Sequence, residues 1–136
     1  MKDKVVIITG ASSGIGKALA FEFARLGAKL FLASRSGVSD PELFKISSEI
    51  LDVRTDVTKE SDCEFLIQKT IERFGRIDIL INNAGISMRA LFSEVSLDVI
   101  RQLMDTNFWG TVYCSKYAIP HLLESKGSLV GVSSIA

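Results

Sequence analysis

Val5-Val6-Ile7-Ile8-Thr9-Gly10-Ala11-Ser12-Ser13-Gly14-Ile15-Gly16 decides the fold. The β-branched run from Lys4 to Thr9 reads as a strand buried on both faces. A turn punctuated by Gly10, Gly14 and Gly16 follows it. Ile15, Leu19, Phe23 and Leu26 then recur at i, i+4, i+8 and i+11, which predicts a helix with one apolar face. Gly27 stands where that helix should stop. Three physical needs meet in the turn. The chain must reverse sharply, a backbone must approach a diphosphate, and the helix must pack close to the strand. Each favours a residue without a Cβ. The helix N-terminus offers N–H groups and a positive dipole end to an anion. The stretch therefore reads as a nucleotide-binding turn, with a tight strand-to-helix turn that holds no ligand as the simpler alternative.

Two other glycine motifs compete for the same letters. A P-loop needs glycine five residues before a Gly-Lys pair and Ser or Thr after it. Gly16-Lys17 has Ala11 before and Ala18 after, so both requirements fail. Gly10-Ala11-Ser12-Ser13-Gly14 does match the Gly-x-Ser-x-Gly elbow of a serine hydrolase. That reading takes Ser12 as nucleophile, His121 as base, and Asp98 or Asp105 as the orienting acid. It leaves Gly16 unexplained.

Outward from the turn, strand-like and helix-like segments alternate. Lys29 to Ser34, Ile50 to Thr55, Ile77 to Ile81 and Ser128 to Ser133 read as four further strands. Thr58 is the expected N-cap of a helix with Glu60 and Asp62 in its first turn and Cys63, Ile67, Ile71 and Phe74 on its apolar face. A long helix is expected from about Leu97 to Leu123, with Gly110 and Pro120 as irregularities. Ser36 to Glu49 reads either as a loop or as one holding a short helix from Pro41 to Phe44. Such alternation predicts an α/β domain, residues 1–136, with a parallel sheet and right-handed crossovers.

A chain of 136 residues and 14.9 kDa is one domain by length. Folding would bury ~68% of its extended surface, enough for a core without staples. Hydrophobic residues at 47% and charged residues at 24% exclude a disordered chain. Sixteen basic and sixteen acidic residues cancel, which argues against nucleic acid as a partner. Cys63 and Cys114 form no close sequence pair and read as small buried residues, so a reducing, cytoplasmic setting is expected. His121 is the single histidine and reads as a surface residue, so no zinc spacing or other metal site is expected. No apolar run is long enough for a membrane span. Phe108 and Trp109 read as packing residues. Met88, Leu91 and Phe92 read equally as a substrate entrance or as surface-loop packing.

Thr9-Gly10-Ala11-Ser12-Ser13-Gly14-Ile15-Gly16, Asp56-Val57, Asn82-Asn83-Ala84-Gly85, Asn107 and Ser133-Ser134 follow one another in a familiar order. In these motifs the whole chain resembles the short-chain dehydrogenase/reductase family. The resemblance implies a Rossmann-type doubly wound sheet of strand order 3-2-1-4-5. It also implies an oxidoreductase that moves a hydride between a nicotinamide cofactor and the carbonyl or alcohol carbon of a small molecule. Carried over by resemblance, Gly10, Ser12, Ser13, Gly14, Ile15 and Gly16 border the diphosphate and nearby ribose. Asp56 and Val57 lie along the adenine. Asn83, Ala84 and Gly85 pass the adenosine and ribose side, and Asn83 also stabilises the sheet. Ser134 holds the substrate oxygen, and Asn107 shapes the long helix and supports a proton relay. Without the resemblance, Asn107 reads as a satisfied side chain at a helix kink.

Cofactor choice falls at the end of the second strand. The family's acidic position for NAD(H) corresponds to Ser34, and Arg35 corresponds to the basic residue of members that prefer NADP(H). NADP(H) is therefore the expected cofactor, ahead of NAD(H). One departure is large. The family's Tyr-x-x-x-Lys pair has no counterpart, because Tyr113 is followed four residues later by Tyr117 and Tyr117 by His121. The chain is expected to be a truncated front part of such an enzyme, catalytically incomplete as it stands, or an inactive dinucleotide-binding fragment. A homo-oligomer is implied for the full-length parent. Strand five is expected to be an open edge.

Overall fold

The central strand owes its place to the run of side chains that tolerates no water on either face. In the computed structural model, which describes residues 1–135, no residue of β1 (Val5–Thr9) is more than 1% exposed. β2 (Lys29–Ser34), β3 (Ile50–Arg54), β4 (Ile79–Asn82) and β5 (Ser128–Gly131) complete the sheet. Its order is β3-β2-β1-β4-β5 and every neighbouring pair is parallel, the doubly wound order expected. Alternate residues feed two cores. Val6, Ile8, Leu30, Leu32, Ile50 and Ile81 meet α1 (Gly14–Arg25) and α2 (Pro41–Phe44) on one face. Ile7, Phe31 and Leu80 meet α3 (Glu60–Phe74) and α5 (Gly110–Ser125) on the other.

Several local expectations need correction. The buried stripe of α1 is Gly16, Ala20 and Ala24, whereas Ile15 and Leu26 are 61% and 57% exposed. The helix lies so close to the sheet that only small side chains fit beneath it, and Leu19 and Phe23 flank that contact. Thr58 does not cap α3, whose N-cap is Lys59. Its N–H and hydroxyl instead donate to the Asp56 carboxylate at 3.0 and 2.6 Å, closing the turn before the helix. The long helix is two helices, α4 (Leu97–Met104) and α5, joined by a π-helical turn at Asp105–Trp109. Gly110 follows that turn, where a Cβ would fall 2.7 Å from Val57 Cγ2. It is glycine because α5 presses on Val57. Phe108 and Trp109 are half-exposed and meet edge to face at 5.4 Å, because the inward positions of α5 are Gly110, Cys114, Ala118 and Leu122.

β5 is an edge strand, exposed at all four residues. The amino edge of the sheet is pinned by Asp78, which stands just before β4 and is 4% exposed. Its carboxylate accepts the Val5 N–H at 2.9 Å and the Arg76 guanidinium at 2.7 Å. Burial pushes its pKa up, but the bonds from Arg76 and Val5 and the charges of Arg76 and Lys4 prevail, holding it below the ordinary carboxylate value. A carboxyl lowered on folding stabilises above its unfolded pKa, and that contribution is lost as pH falls through the folded value. Asp78→Asn should therefore cost about 1–3 kcal/mol near neutrality and less near about pH 3. Thermal unfolding of both proteins at the two pH values checks this, and an equal loss at both would contradict it.

Candidate functional site

A parallel sheet gathers its carboxyl ends on one edge, and the loops leaving them converge there. In this chain they enclose a cleft of about 280 Å³. Gly10, Ser12 and Ser13 enter it after β1, Ser34 and Arg35 at the end of β2, Asp56 and Val57 after β3, and Asn83, Ala84 and Gly85 after β4. The structure thus brings these predicted residues together from four strands. Gly14, Ile15 and Gly16 open α1 directly behind the turn, with Gly16 buried and Ile15 exposed.

The glycines have separate reasons. Gly10 has φ +66°, and a Cβ on it would stand 2.8 Å from Ala84 Cα. A Cβ on Gly16 would stand 2.2 Å from the Gly10 carbonyl oxygen. Gly14 has φ +55° with nothing within 4 Å of an added Cβ, so its backbone lies open. The turn is laced to β4 by Thr9 and Asn83. The Thr9 hydroxyl accepts the N–H groups of Asn83 and Ala84, each at 3.0 Å. The Asn83 amide donates to the carbonyls of Thr9 and Gly10 at 3.1 and 3.2 Å. Thr9 was not among the expected site residues. Its signal was a lone hydroxyl closing an aliphatic strand. Ile86 and Thr106 also line the cleft without having been foreseen.

Ser34 carries the test of fit for a ligand. Its hydroxyl is buried on the cleft wall and has no hydrogen-bond partner among the described residues. An unpaired buried hydroxyl costs ~1–3 kcal/mol, which a ligand's polar group would recover. Arg35, beside it, is exposed at the cleft. The loop that follows is held in place: Val38 is buried, its N–H donates to Asp52 at 3.3 Å, and Lys17 pairs with Asp40 at 2.8 Å. Lys17 is thereby committed, leaving Arg35 as the cation among the residues lining the cleft. At Asp56, the Thr58 hydroxyl bond holds the carboxyl below its ordinary value against the opposing effect of burial, with help from Thr58 N–H and the charges of Lys59 and Arg35.

Asn107 sits in the π-helical turn and grips the loop after β4. Its Oδ1 accepts the Ile86 N–H at 2.8 Å, and its Nδ2 donates to the Ile86 carbonyl at 2.9 Å. Both ends of the amide are thus used on one backbone unit. Ser133 and Ser134 lie exposed past the end of β5, and the structure does not place Ser134 on the cleft wall. Met88, Leu91 and Phe92 are exposed beyond β4. The hydrolase reading fails. Ser12 lies at the carboxyl edge of the sheet, whereas His121 lines a hollow with Gly75 and Arg76, which precede β4 at the amino edge. The two thiols are free and fully buried. The neighbouring Cys63 thiol and burial push the pKa of Cys114 up, so it stays protonated. Among the described residues no helix is long and apolar enough to cross a membrane, and no cluster of His, Cys, Asp or Glu is arranged to hold a metal.

Known proteins resemble this chain in sequence and in fold. An 11-beta-hydroxysteroid dehydrogenase A of Arachis hypogaea is 46% identical over 138 residues, covering 97% of this chain and 40% of that protein. This chain therefore spans about two-fifths of that relative's length. An alcohol dehydrogenase of Thermococcus sibiricus, solved with 5-hydroxy-NADP, superposes with a TM-score of 0.87 at 31% identity, covering 98% of this chain and 59% of that one. An NADH-dependent reductase solved with NAD gives a TM-score of 0.87 at 35% identity, covering 98% and 61%. Residues 4–136 match the sequence profile of the short chain dehydrogenases, and with the sheet order and the cleft this places the chain in the short-chain dehydrogenase family.

Proposed function

We propose that the cleft binds NADP(H) and serves a hydride transfer between nicotinamide and the carbonyl or alcohol carbon of a small molecule. The observation that carries this reading is the orphaned Ser34 hydroxyl beside Arg35, in a cleft lined by the segments that follow four parallel strands. When bound, the cofactor supplies or accepts the hydride. The open backbone from Ser12 to Ile15 and the N-terminus of α1 would hold its diphosphate, since N–H groups and the helix dipole both favour an anion there. Asp56, kept ionised, would accept from the adenine amino group while Val57 packs on the ring. Asn83, Ala84 and Gly85 would border the adenosine ribose. Ser34 and Arg35 would take the 2′-phosphate. Asn107 acts as a positioning residue through Ile86, and Ser134 would orient the substrate oxygen.

The proton at that oxygen needs an acid. The 136-residue sequence holds no Tyr-x-x-x-Lys, and Tyr117 is no substitute: its hydroxyl donates to Glu60 at 2.7 Å, which raises its pKa to about 12. General acid catalysis is worth ~10²–10⁴ in rate. The chain by itself should bind NADPH yet show no carbonyl reduction above background. Absorbance of the nicotinamide in the presence of simple ketones and aldehydes tests this. Robust turnover by the 136-residue chain would mean that another group supplies the proton, and the role given to Ser134 would fall with it.

A further inference from the structure

We propose that Arg54 is a second cofactor-specificity residue, supplying a guanidinium to the 2′-phosphate from the neighbouring strand; this rests on the NADP(H) reading above. Arg54 ends β3 in register with Ser34, the last residue of β2. The partners two and four residues earlier are Leu32 with Asp52 and Leu30 with Ile50. Leu30, Leu32 and Ile50 share one core, so Ser34 and Arg54 occupy the same face of the sheet, one strand spacing apart. The orphaned hydroxyl and the arginine stem are therefore lateral neighbours.

The side chain packs on the loop that leaves β2. A Cβ built on Gly37 would lie 3.7 Å from Arg54 Nε and 3.9 Å from its Cγ. Arg54 is thus laid against Gly37, the residue that follows the cleft residues Arg35 and Ser36, and Asp52 Oδ2 lies 3.4 Å from the same Cβ position. Arg54 is exposed, and among the described residues no carboxylate lies within ion-pair distance of it. Lys17, by contrast, is held in an ion pair with Asp40. A phosphate monoester near neutrality carries more than one negative charge, with three strong acceptor oxygens. Arg35 alone leaves part of that charge unmatched, and a guanidinium on the adjacent strand supplies the remainder. NAD(H) has nothing at that position for Arg54 to read.

Calorimetric titration of Arg54→Ala with NADP⁺ and NAD⁺ tests the assignment. The expected result is about a fivefold weaker NADP⁺ and NAD⁺ unchanged to within about twofold, the scale of one solvent-exposed charge pair. Arg54→Lys should recover most of the loss, because it keeps the charge. A purely structural arginine would move both cofactors together or neither, and either outcome overturns the proposal. If Arg35→Ala still loses NADP⁺ selectively in that event, the NADP(H) reading stands without Arg54. If the unmodified chain binds NAD⁺ the more tightly, both fall.

Discussion

Gly16→Ala should unfold this protein at a temperature lower by roughly 10 °C and abolish measurable dinucleotide binding. The added Cβ would sit 2.2 Å from the Gly10 carbonyl oxygen and 2.5 Å from Asn83 Nδ2. Neither atom is a flexible tip. One is backbone, and the other is an amide fixed by two hydrogen bonds. Helix α1 would have to withdraw, and the bonds from Asn83 to Thr9 and Gly10 would break with it. Overpacking of this kind costs ~1–3 kcal/mol or more, and each lost hydrogen bond about 1. Alanine's better helix propensity returns only about 1 kcal/mol. Gly14→Ala is the control. Nothing lies within 4 Å of its added Cβ, so it meets only the left-handed backbone penalty of ~1–2 kcal/mol. Thermal unfolding followed by circular dichroism ranks the two. A Gly16→Ala protein as stable as Gly14→Ala would refute the close approach of α1 to the turn.

Arg35→Ala should weaken NADP(H) by ten- to hundredfold and leave NAD(H) nearly unchanged. A hydrogen bond to a charged group is worth ~1.5–3 kcal/mol, which is that range in affinity. No acid lies between Lys17 and Ser39 except Glu22, which is exposed on α1 and pairs with Arg25. The cleft therefore has no carboxylate at the end of β2 to accept from a ribose 2′-hydroxyl, and it has a guanidinium and the unpaired Ser34 hydroxyl instead. Calorimetry on the variant with both cofactors measures the split. Equal losses would remove Arg35 from the site.

The strands were legible because their cause is local. A run such as Val5–Thr9 is explicable only by burial on both faces, and the glycine turn after it orients everything that follows. The cleft residues were legible for a related reason. Each sits just past a strand end, where spacing from the strand predicts its place. What failed was decided by close approach between elements far apart in sequence. The fully buried face of α1 is its small residues because the sheet lies so near, so of the predicted apolar face only Leu19 and Phe23 pack on the core while Ile15 and Leu26 are exposed. Gly110 answers to Val57, more than fifty positions away. Thr9 reads as one more β-branched strand residue until β4 arrives beside it. Thr58 has the chemistry of an N-cap but spends it on Asp56, a choice between two local bonds that composition does not rank.

Calorimetric titration of the unmodified chain with NADP⁺ and, separately, NAD⁺ tests the central claim most directly. On the proposed reading both dinucleotides should bind at one site per chain, with NADP⁺ the tighter, because only its 2′-phosphate would pair with the Arg35 charge. Absence of binding by either, or tighter binding of NAD⁺, would contradict the account.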